Sequence, residues 1–148
     1  MDLDLILRAG PLTVAILNSS AQERRLWEWQ NSWGWYSLAV QVRGAADQQI
    51  EIKRRWRDWT KNGPVYFVVP PRGSRDVSID LQDGWWEAAD AIFPNWLPAS
   101  WKDHPVELRA RLRIEPTPES ERFDVFTGTV FSEWIVSRPP HGWLPVEG

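Results

Sequence analysis

The stretch Val106–Ile114, VELRARLRI, alternates strictly between apolar and charged residues. Val106, Leu108, Ala110, Leu112 and Ile114 share one side of an extended chain. Glu107, Arg109, Arg111 and Arg113 share the other. Successive side chains on a strand point to opposite faces, whereas a helix repeats every 3.6 residues and would scatter these sets around its axis. The stretch is therefore a half-buried strand with a charged outer face.

The same period recurs along the chain. In WYSLAVQVR, Tyr36, Leu38, Val40 and Val42 form the apolar side, and Trp35 opposes them, pointing outward or lying under a crossing loop. In QQIEIKRRW, Ile50 and Ile52 point inward and Trp56 continues their register. In RDVSIDL the inward set is Val77, Ile79 and Leu81. Shorter apolar runs at Leu3–Leu7, Leu12–Leu17 and Val65–Val69 read as further strands. Phe123–Val136 reads as a long last strand, bent or bulged at Gly128. Turn residues separate these runs at Asn18–Ser20, Gly44–Asp47 and Pro70–Gly73. One helix is expected at Trp85–Ile92, with Asp83 as N-cap and Pro94 as its stop, in the longest connection, Asp83 to Pro105. Many short strands spaced by turns indicate an all-β, two-sheet antiparallel sandwich of about eight or nine strands with one short helix. The 148 residues fit one domain, 1–148, with no internal repeat or linker.

The order LTVAILNSS, a strand ending in the turn at Gly44, PPRGS before a strand, VELRARLRI and then FTGTVFSEW resembles bacterial immunoglobulin-like sandwich modules. The layout is similar to the intracellular proteinase-inhibitor type of that fold. It is similar also to bacterial domains of unassigned function with a Trp-Thr-Gly segment near the end, which here reads Phe126-Thr127-Gly128. The resemblance implies an immunoglobulin-like antiparallel β-sandwich and, within a binding role, an inhibitor or immunity type. The tryptophan-rich stretch and the long Asp83–Pro105 connection depart from a minimal inhibitor module.

Composition narrows the function classes. With no cysteine there is no disulfide framework, thiolate metal site or cysteine nucleophile. The start MDLDLILRAG has no basic region, and Asp4 and Arg8 interrupt its apolar run, so a cytoplasmic protein with no membrane span is expected. The net charge is −3, with 11 Lys/Arg against 7 Asp/Glu in residues 1–75 and 6 against 13 in residues 76–148. An acidic whole argues against nucleic acid as a partner.

No catalytic constellation is visible. His104 and His141 lie beside prolines in expected loops, without the local spacing of a zinc site or a partner nucleophile. Asp80, Asp83, Glu87 and Asp90 form an acidic edge but match no calcium loop, and capping is the simpler role. No enzyme activity, cofactor or metal is expected.

The 12 tryptophans are the outlying feature. RLWEWQNSWGWY, Arg25–Tyr36, holds Trp27, Trp29, Trp33 and Trp35, and reads as two strand ends joined by a QNSWG turn. KRRWRDWTK, Lys53–Lys61, interleaves five basic residues with Trp56 and Trp59. Such arginines stack on indoles within a fold, and exposed indoles and arginines anchor protein interfaces. The expected function is a non-enzymatic binding module that meets another protein through Trp27, Trp29, Trp33, Trp35, Arg54, Trp56, Arg57 and Trp59. The alternative is a carbohydrate-binding module with tryptophan platforms. Two coplanar exposed indoles would favour sugar, and a protruding indole ringed by polar groups a protein. The oligomeric state is not legible.

Overall fold

The computed structural model describes residues 2–44, 49–59, 63–88, 91–92 and 104–137. These form an all-β architecture of antiparallel sheets with one short helix. The strands are β1 (Leu3–Arg8), β2 (Thr13–Asn18), β3 (Arg24–Trp27), β4 (Leu38–Arg43), β5 (Gln49–Arg54) and β6 (Tyr66–Val69). They continue with β7 (Ser74–Ser78), β8 (Trp86–Ala88), β9 (Ala91–Ile92), β10 (Val106–Ile114), β11 (Gly128–Phe131) and β12 (Ile135–Ser137). The described residues thus hold twelve strands where eight or nine were expected, because the expected last strand is split in two and the segment expected as a helix forms two short strands.

The largest sheet runs β11-β10-β4-β5-β8-β9, with β12 also paired to β10. A second sheet runs β1-β2-β7, and β3 pairs with β6. β10 is the hub of the large sheet, and its alternation is realised residue by residue: Val106, Leu108, Ala110, Leu112 and Ile114 are all buried. β1 lies against β10 and β11, so Leu3, Leu5 and Leu7 meet the inner face of the large sheet in one contiguous core with Val40, Val42 and Ile52. Burying each such side chain contributes about 1.5–3 kcal/mol.

Asn18 is a polar residue within this core, 1% exposed. Its amide donates to the carbonyls of Gln22, Val69 and Pro70, and its Oδ1 accepts from the Ser20 amide and hydroxyl. The Asn18–Ser20 turn is thereby tied to the Pro70–Gly73 turn, where the Gly73 amide closes onto the Pro70 carbonyl. Of the Gly44–Asp47 turn, only Gly44 lies within the described residues.

Four local expectations are corrected. Trp85–Ile92 is not a helix. The Asp83 side chain does accept from the Trp85 amide, as an N-cap would, but Arg55 donates to the Trp85 carbonyl and Trp86 pairs with Arg54. Cross-strand pairing captures the segment as β8 and β9. The helix, α1, is instead Pro118–Arg122, with Thr117 and Ser120 forming a reciprocal cap and Pro118 in its first turn.

Phe123–Val136 is not one strand bent at Gly128. β11 begins at Gly128, and the break falls at Ser132–Trp134. There the Ser132 amide donates to the Ala110 carbonyl while its hydroxyl accepts from the Ala110 amide, so a side chain stands in for backbone in the ladder. Tyr36 does not open the buried face: it precedes β4, in the turn, and is 42% exposed. Trp56 does not continue the inward register of Ile52, because β5 ends at Arg54, and Trp56 is 75% exposed.

Candidate functional site

The QNSWG turn forms as expected. Asn31 holds it from both ends: its side chain accepts from the Trp33 amide, and its carbonyl accepts from Trp35. The turn packs tightly on the exit of β3, since a Cβ on Gly34 would lie 2.1 Å from the Glu28 carbonyl oxygen. This folding-back separates the four tryptophans. Trp27 is 1% and Trp35 3% exposed, while Trp29 and Trp33 are partly buried against the core.

Trp27 and Trp35 are therefore not binding surface, contrary to expectation. Trp27 is a core residue, tilted on Trp33 at 5.5 Å and edge-on to Phe123. Trp35 lies under the segment that follows β5. Its indole N–H donates to the Arg55 carbonyl, and Trp59 and Trp85 meet it edge-on at 5.5 and 5.6 Å.

Arg54 and Arg57 are braces of this cluster. Arg54 lies on the same side of β5 as Ile52, with its guanidinium 4.0 Å from the Trp35 ring centre and 4.4 Å from that of Trp86. It also pairs with Asp83 at 3.1 Å. Burial pushes its pKa below the ordinary arginine value, and Asp83 opposes that shift. Arg57 lies 4.7–5.0 Å from the rings of Trp35, Trp59 and Trp85. Of the eight residues expected to bind, Trp56 alone projects fully into solvent. Arg57 links it to Tyr36 by donating its amide to the Tyr36 hydroxyl, 3.1 Å away.

Beside Tyr36 a cleft of about 420 Å³ opens, and sequence reasoning did not find it. Trp33, Tyr36 and Ile114 give it apolar surface; Lys53, Arg111 and Arg113 give it positive charge. Strand register assembles it: Arg111 of β10, Ala39 of β4 and Lys53 of β5 form one row across three strands, with two cations flanking an alanine. The Arg111 side chain is only 12% exposed. Its Nη1 stands 3.6 Å from Glu51 Oε1, beyond hydrogen-bond length, and its Nε has no partner among the described residues. Burial lowers its pKa, Glu51 offsets this in part, and Arg113 adds to it. The alternation in VELRARLRI signalled the outward arginines, but nothing local signalled Lys53 as their neighbour.

A third aromatic group also escaped notice. Trp134, in the break before β12, lies under Arg43 and Arg109 at 4.2 and 4.5 Å, and Arg109 also covers Phe131.

The acidic edge is occupied by structural work. Asp80 caps the turn to Gln82, Asp83 caps Trp85 and holds Arg54, and Glu87 lies on β8 opposite Lys53 of β5; Asp90 lies outside the described residues. His104 is exposed, and His141 lies outside the described residues. Among the described residues no group of three or more His, Cys, Asp or Glu is placed to hold a metal, and no helix is long and apolar enough to cross a membrane. Comparison with protein-family models, with curated proteins and with solved structures finds no match.

Proposed function

We propose that this chain is a non-enzymatic binding module on an immunoglobulin-like sandwich, and that its partner is another protein. The sandwich reading is supported by the β1-β2-β7 sheet lying across one core from the large sheet. The observation that carries the function is Trp56. A 75% exposed indole projects from a segment braced by arginine–indole stacking, with Arg55, Arg57 and Asp58 as its chain neighbours and exposed Tyr36 accepting from the Arg57 amide. Exposed aromatics held on a braced segment are what protein interfaces use as anchors. An inhibitor or immunity type of role is one form of such binding.

The tryptophan geometry favours this reading over a carbohydrate platform. Sugar stacking asks for two exposed, coplanar indoles, whereas the indole pairs among the described residues meet at 43°, 76° and 80°, each with one buried member.

The test is a photo-cross-linking amino acid placed at position 56 in cells of the source organism, with the same probe at exposed Gln22 as control. A discrete protein adduct specific to position 56 is expected. Adducts that are absent, or identical at both positions, would overturn the proposal. Trp56→Ala should abolish partner capture yet change stability by no more than about 0.5 kcal/mol, because the indole packs on little.

A further inference from the structure

The cleft beside Tyr36 holds a cation whose requirements are incompletely met. Arg111 is largely withdrawn from water, its Nε has no partner among the described residues, and it stands 3.6 Å from Glu51, too far for a hydrogen bond. A guanidinium satisfies such a deficit best with a carboxylate that accepts from two of its N–H groups at once. The other cations of the cleft are better served. Arg54 holds Asp83 at 3.1 Å, and the Arg113 side chain, 3.6 Å from Glu115, is 55% exposed to water. Lys53 has no ion pair at 4 Å or less among the described residues and shares a cross-strand row with Arg111. Within the cleft lining, Arg111 and Lys53 against Glu51 leave one unit of positive charge, which suits a single carboxylate; Glu87, the cross-strand partner of Lys53, lies outside that lining. A doubly charged phosphate would meet the repulsion of Glu51 and Glu115. Trp33 and Tyr36 supply apolar surface at the same place, and Tyr36 leads outward to Trp56.

We infer that the cleft receives an acidic peptide segment of the partner. An aspartate or glutamate carboxylate seats against Arg111 and Lys53, and a neighbouring apolar side chain lies on Trp33 and Tyr36. The inference rests on the protein-partner reading and specifies the chemistry of the partner. Charge complementarity selects the acid, and continuity with the exposed Tyr36–Trp56 surface selects a peptide over a small free acid.

The experiment is selection of a displayed random dodecapeptide library on the intact chain, followed by fluorescence anisotropy with the winning peptide. Selected sequences should share an Asp or Glu beside an apolar residue. Replacing that acid by its amide should weaken binding about ten-fold or more, the usual scale of one charge-assisted contact. Arg111→Gln and Lys53→Glu should each do the same, and Lys53→Glu, at an exposed position, keeps the test open if Arg111→Gln fails to fold. Selection of no binder, selection of neutral or basic sequences, or equal binding by Lys53→Glu would overturn the inference. Displacement of the peptide by millimolar inorganic phosphate but not by acetate would overturn it in favour of a phosphate site. The two proposals fail separately. Cross-linking at position 56 without acidic peptides removes only the cleft inference; acidic peptides without cross-linking removes only the Trp56 interface.

Discussion

An indole has an electron-rich face and one N–H donor at its edge, and Trp35 uses both. Arg54 and Arg57 stack on it while its Nε1 donates to the Arg55 carbonyl, so three consecutive-to-near residues of one segment are fastened to a single ring. That fastening depends on the tight turn before it. Gly34 is the residue that lets the turn close, because no side chain fits against the Glu28 and Trp27 carbonyls. Gly34→Ala should therefore cost at least about 2 kcal/mol, read as a lower urea midpoint, with loss of the native tryptophan fluorescence at lower denaturant. A variant as stable as the parent would show that the turn relaxes freely. At this scale the sequence was partly legible. The turn was expected, but parity along the chain could not say that Trp35 would be roofed by Arg54–Trp59, since that contact joins separate segments.

Among the elements, β10 carries the most pairing, with β4 along one side and β11 and β12 along the other. Its two faces should respond differently to truncation. Leu108→Ala, at a fully buried position, should cost about 2–5 kcal/mol, whereas Arg113→Ala on the exposed face should change stability by about 0.5 kcal/mol or less; urea unfolding measures both. Equal effects would contradict the assignment of faces. β10 was legible because its apolar period runs unbroken over nine residues. Elements of two to four residues were not. Trp85–Ile92 contains helix-favouring alanines and an acidic cap, yet Arg54 and Arg55 claim its backbone for a strand. The α1 helix did have a local signal, Thr117-Pro118 followed by Ser120, but it is too short for any periodicity. The Ser132 break was hidden because a hydroxyl that replaces a ladder group looks in sequence like any other strand serine.

Over the whole molecule, side chains from all three sheets join one buried cluster. No part of it can open without exposing the rest, so tryptophan fluorescence and far-UV circular dichroism should report one coincident denaturation transition. Two separated transitions would show that the β3–β6 pair, which carries Trp27, melts alone. The all-β class followed from strand period and turn spacing, but sheet order did not, because β4 meets β10 only after long intervening chain. That order has a bearing on biosynthesis. A ribosome synthesises β1 to β9 before it makes β10, the strand against which β1 and β4 are packed. Until Ile114 emerges, Val40, Val42 and the leucines of β1 lack their principal cover. The nascent chain must then travel with an open hydrophobic face, the condition in which general chaperones hold a client until synthesis is further advanced.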